Sequence, residues 1–373
     1  MARRIAIGSA ARHPGTLQYG RWTAFEHPTG QEEFLPVIIA AGKRPGPCLW
    51  LTAGMHGPEH SGPLVVHKLL HAGLLAELRG TLVAIPALTP AGLRTGSRVP
   101  YHSPEDPNRL WPDGRPAPEE GSDRRPPSPQ ERAFQRLFEE ILKTADLLVD
   151  LHNAWEGSVP FALLDRVLYR SDIPGDRQRA QGLARRIETM AGALGFATAR
   201  EFPTKRYVED KLHRSTSGAA VQLARIPALT VELGGGLRPD PIILRAAVAG
   251  LRNVLRWAEM LPGPAEPVEG IPCPRPGFNC RRKSTPRTPV TGLAHHCVSA
   301  GQEIRAGDPV AEMVDIWGRP LLEEPLRAEA DGFVLGLAQG AVFYPGESVA
   351  TLAVRDPDPL VGPYPRSYFR RSE

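Results

Sequence analysis

The sequence predicts an α/β fold: a mixed β-sheet flanked by helices, followed by a small all-β region at the C-terminal end. Three observations carry this. Short apolar runs alternate with amphipathic stretches as far as residue 261. Residues 263–290 then turn rich in proline, glycine and arginine. Beyond them, short alternating segments are separated by glycine turns at Gly301, Gly307-Asp308, Asp331-Gly332 and Pro345-Gly346, the pattern of a small sandwich. The expected division is therefore a large domain over 1–262, which the motifs below mark as catalytic, a linker over 263–290, and a β domain with its tail over 291–373.

The elements follow in order. A strand-rich lead, Phe34-Leu35-Pro36-Val37-Ile38-Ile39-Ala40, precedes the apolar strand Leu49-Trp50-Leu51-Thr52-Ala53-Gly54. A helix is expected to start after Ser61 and run toward Leu78, followed by a strand at Thr81–Pro86. Residues 112–130 are dense in Pro, Gly, Glu and Arg and read as a long surface loop. Ser128-Pro129-Gln130-Glu131 then has the form of a capping box with proline at the first helical position, opening a helix that ends before Asp146. The run Leu147–His152 is a buried strand, Arg177–Leu194 an amphipathic helix, Ala228–Leu233 a further strand, and Pro241–Leu261 a last helix.

Composition narrows the class. At 373 residues there is enough chain for one large domain and a small one. No apolar run approaches a membrane span, and the basic start Met1-Ala2-Arg3-Arg4 leads into no adequate apolar signal region. Cytoplasmic residence is the expectation. A net charge of +4 with scattered arginines argues weakly for anionic substrates and against nucleic acid. Of the four cysteines, Cys48 reads as packing in a buried strand. Cys273, Cys280 and Cys297, with His295 and His296, lack the short knuckle that nucleates a structural zinc site, so a second metal there stays open.

The chemistry concentrates at strand ends, where ligands gather in open α/β sheets. His56-Gly57-Pro58-Glu59 follows the first apolar strand, and His152 ends another. Two imidazole nitrogens and one carboxylate leave a tetrahedral zinc one open position, the composition of a hydrolytic site. His56, Glu59 and His152 are the candidate ligands. Glu232, at the end of Leu229-Thr230-Val231, stands where a general base belongs. A rival reading takes His56 to His60 as H-x-x-E-H, with both histidines on the metal and Glu59 as base. That motif needs a helix, and Gly57-Pro58 opposes one. His60 is then a bystander. Asp150, two residues before His152, is expected to face away from the metal and to orient a ligand or a neighbouring loop.

These segments resemble the succinylglutamate desuccinylase/aspartoacylase family of the zinc-carboxypeptidase-like superfamily. The matching motifs are H-G-x-E at His56–Glu59, N-R at Asn108-Arg109, D-x-H at Asp150–His152 and V-E-x-G at Val231–Gly234. The similarity spans roughly residues 30–262, continues more weakly to the C-terminus, and departs at Pro58, where the family usually has Asp or Asn. It implies one zinc per chain, held by His56, Glu59 and His152. It also implies a clamp on a substrate carboxylate from Asn108 and Arg109, and an oxyanion partner in Arg98, with Arg94 the competing choice. A bidentate guanidinium suits a carboxylate. Gly234–Gly236 are expected to let substrate approach beneath Glu232. The resemblance extends to a C-terminal module related to biotinyl and lipoyl carriers, but no lysine follows Lys283 to carry either cofactor.

Three functions fit these residues. The first is a zinc amidohydrolase that removes an acyl group from an N-acyl amino acid or similar small carboxylate. The second is a metallocarboxypeptidase acting on peptide C-termini. The third is a catalytically silent binding protein on the same fold. The expected partner is a small molecule, with no nucleic acid and no membrane. A homo-oligomer, the acyl group and the amine are left open.

Overall fold

The computed structural model describes residues 3–115, 125–154, 157–235, 238–366 and 368–369. Residues 116–124 of the expected surface loop, and Gly236 of the glycine run, lie outside these.

A twelve-stranded mixed sheet organises the chain. Its centre is parallel: Arg79–Ile85, Arg44–Ala53, Leu147–Ala154 and Ala228–Gly235 lie side by side in that order. These strands are almost wholly buried, which explains their continuous apolar runs. On one flank Glu32–Ala41 and Thr16–Glu26 add antiparallel to the sheet. Thr16–Glu26 alternates exposed and buried positions as an edge strand, and its polar residues hid it from an apolar-run reading.

Helices cover both faces. Ser61–Leu69, Asp176–Leu194 and Pro241–Trp257 pack against one another and the sheet. Pro129–Thr144 lies on the other face, where the Thr144 hydroxyl accepts from the Trp50 indole at 3.0 Å. Its Ser128 cap forms the expected reciprocal box with Glu131. The helix expected from Ser61 to Leu78 is instead two, Ser61–Leu69 and Ala72–Glu77. Leu70 is extended, and the His71 ring accepts from Gly73 N, so His71 caps a second start.

The other flank passes through Pro160–Leu164 and Ala197–Arg200 into strands from the C-terminal part. Cys280–Ser284, inside the interval read as a linker, joins Ala197–Arg200 in parallel and Ala350–Arg355 antiparallel. Gly332–Leu337 and Glu303–Ile304 complete that side. Four further strands, Gly292–His296, Pro309–Val314, Leu326–Arg327 and Val342–Phe343, make a separate antiparallel sheet. The chain then returns: Val361–Pro363 pairs in parallel with Val167–Tyr169. Arg166 and Asp356 form a wholly buried ion pair at 3.0 Å.

Candidate active site

Three neighbouring parallel strands deliver the core of the site. Thr52, Asp150 and Thr230 are in register across them, and one step further His152 pairs with Glu232. Residues two apart on a strand share a face, so these polar groups emerge together on one side of the sheet. The turn after the first strand is tight: Glu59 N donates to His56 O at 3.1 Å and Gly57 N to Ser97 O at 3.0 Å. A Cβ on Gly57 would run into the Gly92 carbonyl, so only glycine lets the two loops meet. His60 is the residue before the Ser61–Leu69 helix and stands outside the cluster, so His56–Glu59 is a turn and not the helix that H-x-x-E-H requires.

His56, Glu59 and His152 are buried, and ligand atoms from all three lie within 4.8 Å of one another. Glu59 bridges the rings, with Oε1 2.6 Å from His56 Nδ1 and Oε2 2.8 Å from His152 Nδ1. The outer nitrogens also meet carboxylates. His152 Nε2 lies 2.8 Å from Asp150 Oδ2, and His56 Nε2 lies 3.1 Å from Asp106 Oδ1. Histidines that ligate a metal through one nitrogen characteristically hold such a partner on the other. The donor set and its outer partners fit a zinc-class ion. Burial would lower the His152 pKa, yet Asp150 and Glu59 hold it well above the ordinary value. Burial opposes ionisation of Asp106 too, but His56 and Arg98 keep its carboxyl well below the usual range.

Asp150 corrects an expectation. It does not face away; it shares the face of His152 because the strand repeat is two residues. Its other oxygen accepts from the Thr52 hydroxyl at 2.6 Å, so it is held to orient the ring. Gly234 is a second correction. A Cβ there would meet Ile243 Cδ1 at 2.6 Å, on the helix side, so its bareness makes room for packing and not for substrate.

The cluster opens into a cavity of about 480 Å³ lined by His56, Glu59 and His152, with Arg98, Asn108, Arg109 and Glu232. Burial pushes the Glu232 carboxyl up to about 7, and its Oε2 is buried without a hydrogen-bond partner among the described residues. Asn108 is fixed from behind, its Oδ1 accepting from Thr216 N at 2.9 Å, while its Nδ2 lies 3.5 Å from His152 Nε2. Arg109 is half-buried in the short turn Pro107–Arg109, and its Nη1 donates to Asn108 O at 2.7 Å. Asp106 pairs with Arg98 at 2.8 Å, leaving the Arg109 guanidinium without an ion pair among the described residues. Arg98 also comes within 3.8 Å of Glu59, whereas Arg94 pairs with Glu33 at 2.7 Å and does not line the cavity.

Asp106, Asp165, Glu201, Arg282 and Gln339 also line or support this site and were not marked by sequence. Arg282 comes from the interval read as a linker and Gln339 from the C-terminal β part. Asp165 follows the apolar run Phe161-Ala162-Leu163-Leu164, so the strand-end logic that found His152 applies to it as well, whereas Glu201 follows Arg200 at the end of a strand with no apolar run to mark it. Elsewhere, Cys273 Sγ donates to Gly195 O and Cys297 Sγ to His295 O. Among the described residues these cysteines do not converge on a second metal-binding group.

A family model described as the succinylglutamate desuccinylase/aspartoacylase catalytic domain matches residues 45–258. The chain belongs to that family. It is 24% identical over 329 residues to an N-alpha-acetyl-L-2,4-diaminobutyric acid deacetylase from Halomonas elongata, covering 86% of this chain and 85% of that one. Solved structures share the fold. A product-bound ectoine utilization protein, EutE (DoeB), from Ruegeria pomeroyi aligns with TM-score 0.68 at 22% identity, over 91% of this chain and 95% of that one. An aspartoacylase family protein from Mesorhizobium loti aligns with TM-score 0.67 at 20% identity, over 93% and 96%.

Proposed function

We propose that the protein is a zinc-dependent deacylase that hydrolyses the amide bond of an N-acyl amino acid or a similar small carboxylate. The observation that carries this reading is the buried His56/Glu59/His152 group opening, with Glu232, into the same cavity as Arg109. The named deacetylase relative from Halomonas elongata supports the substrate class. Zinc, one per chain, would be held by His56, Glu59 and His152, and when bound it supplies Lewis acidity that makes a water more acidic and an amide carbonyl more electrophilic.

The chain's own residues perform the remaining work. Glu232 accepts a proton from the attacking water and returns it to the departing amine. Arg98, kept in place by Asp106, faces charge that develops on the carbonyl oxygen. Arg109 grips the substrate carboxylate, and Asn108, anchored by Thr216, fixes the position of that turn. The division we propose is a catalytic part, 1–262, a segment over 263–290 that connects the two and contributes the strand Cys280–Ser284 to the large sheet, and a C-terminal β part, 291–373, which adds Gln339 to the cavity wall. We place the enzyme in the cytoplasm, without nucleic acid or membrane as partners; among the described residues no helix is long and apolar enough to cross a membrane.

We disfavour the metallocarboxypeptidase reading because a C-terminal part that lends Gln339 to the cavity wall would restrict the site to small substrates. A panel of N-acyl amino acids and dipeptides, assayed with and without zinc, tests the assignment. Hydrolysis of the acyl amino acids only is expected; release from dipeptides only would overturn it. Glu232→Gln should retain zinc while turnover falls by on the order of a hundredfold or more. Near-normal turnover in that variant would move the proton to another residue. Arg109→Ala should chiefly raise KM, and Arg109→Lys should restore it only in part.

A further inference from the structure

The turn Pro107–Arg109 is three residues long and belongs to no sheet, so bonds to other segments fix where Asn108 and Arg109 sit. Its own bonds are local: Arg109 N donates to Asp106 O at 3.0 Å, and Asn108 N to Asp106 Oδ1 at 2.9 Å. Four further hydrogen bonds join it, with Trp111 just beyond, to a second short turn, Leu212–Arg214, and to Thr216 after that. Thr216 N and its hydroxyl donate to Asn108 Oδ1 at 2.9 and 3.2 Å. Trp111 N donates to Arg214 O at 3.2 Å, and Arg214 Nε returns to Trp111 O at 2.9 Å. Both sides of this seam reach the cavity, one through Asn108 and Arg109, the other through Leu212 and Ser215.

The seam is held at one end by Ser217, whose hydroxyl meets that of Thr230 on the central strand Ala228–Gly235 at 2.7 Å. Arg214 reaches Glu131 at 3.3 Å. The other end, at Asp113 and His213, is held by Tyr368. The segment that carries Tyr368 is rooted in paired strands, because Val361–Pro363 lies beside Val167–Tyr169 and Tyr364 N donates to Tyr169 O at 2.9 Å. The Tyr368 ring stands edge-on to His213, with centroids 5.3 Å apart, and Arg115 lies over its face at 4.7 Å. Its hydroxyl is 2.6 Å from His213 Nε2 and 3.3 Å from Asp113 O. A carbonyl only accepts, so the phenol donates to Asp113 O and accepts from His213 Nε2. Burial pushes His213 down to about 4, which leaves the ring one proton near neutral pH, and this pairing places it on Nε2. Both side chains are buried, so water is a poor substitute for either bond.

We propose that Tyr368 is a positioning residue for the substrate clamp: its hydroxyl pins Asp113 to His213, and the seam passes that restraint to Asn108 and Arg109. This rests on the deacylase reading for what Arg109 grips, but not for the pinning itself. The amides of Trp111 and Thr216 cross the seam, so their hydrogen exchange reports its opening with no ligand present. Tyr368→Phe keeps the ring and removes the hydroxyl. Exchange at both amides should quicken about threefold to tenfold, the worth of one ordinary hydrogen bond, while the buried strand Leu147–Ala154 keeps its rate. His213→Gln keeps an N–H donor and should stay close to the parent, whereas His213→Leu should match Tyr368→Phe. That pair of variants reads the same contrast if Tyr368→Phe fails to fold. For an acyl amino acid that is hydrolysed, Tyr368→Phe should raise KM by a like factor with kcat nearly unchanged, since a ground-state grip is loosened. Added to Arg109→Ala it should raise KM no further, because the group it positions is gone.

Unchanged exchange at Trp111 and Thr216, faster exchange everywhere including Leu147–Ala154, a fall in kcat without a rise in KM, or full additivity with Arg109→Ala would each overturn the proposal. Local quickening without hydrolysis of any acyl amino acid would leave the pinning standing and remove the deacylase reading. Hydrolysis with exchange unmoved would do the reverse.

Discussion

Asp150 and Asp106 each hold the outer nitrogen of a histidine whose inner nitrogen faces Glu59. Loss of such a partner typically weakens metal binding tenfold to a hundredfold. Asp150→Asn should therefore lower zinc affinity by about that factor in a chelator competition, Glu59→Gln should lose the metal outright, and His60→Ala should keep it. Full occupancy in Glu59→Gln with loss in His60→Ala would restore the helical H-x-x-E-H reading. Asp165 offers a different check. Burial holds its carboxyl up at about 7, against an ordinary 3.8. Below both values the two states carry the proton equally. Between them the unfolded chain ionises and the folded one does not, so stability is lost as pH rises toward 7. Thermal unfolding of ligand-free protein should show Asp165→Asn gaining on the parent from pH 4 to 7.5. The opposite trend would mean that a cation already answers Asp165. His56, Glu59, His152 and Glu232 were legible because each closes a local motif at a strand end, whereas Asn108 and Arg109, in the turn Pro107–Arg109, were marked only by resemblance. Arg282 was illegible because its partners Glu201 and Phe202 are remote in the chain and share no spacing with it.

Elements were read best where local chemistry sets them. Pro129–Thr144 begins at its capping box, Asp176–Leu194 and Pro241–Trp257 follow their apolar periodicity, and the central strands follow apolar runs. The break at Leu70-His71 was missed because a side-chain cap competes with helix continuation without disturbing the apolar pattern. The turn that carries His56 depends on contact between two loops. Gly57→Ala should push the His56–Glu59 turn away from Gly92 and Ser97, costing roughly 1–3 kcal/mol. Zinc content should drop with it, since His56 and Glu59 move together. An alanine variant with unchanged melting and full metal would show that the loops can separate freely.

At the scale of the whole molecule, the C-terminal strands are structural partners of the catalytic sheet. Asp356, just after Ala350–Arg355, holds Arg166 at 3.0 Å and Arg200 at 3.5 Å, all within buried surroundings. Removing one member of such a pair leaves a buried charge uncompensated. Asp356→Ala should lower unfolding free energy by about 3–5 kcal/mol, measured from denaturant midpoints. An effect below about 1 kcal/mol would mean that water or the tail replaces the carboxylate. None of this pairing was legible beforehand, because proline and arginine around Cys280–Ser284 mask a strand whose partners are supplied by both halves of the chain.

That strand also sets an order of events during synthesis. Residues through Trp257 leave the ribosome first, with every member of the His56/Glu59/His152 group among them, whereas Arg282 and Gln339 emerge later. N-terminal parts generally fold as they appear. The whole His56/Glu59/His152 group is thus made before the residues that the later strands lend to the cavity wall. Chains stalled with residues only through 279 exposed should take up zinc yet bind amino acids without preference, and selectivity should arrive with the last strands. Full selectivity in the stalled chains would show instead that recognition is finished before Arg282 is made.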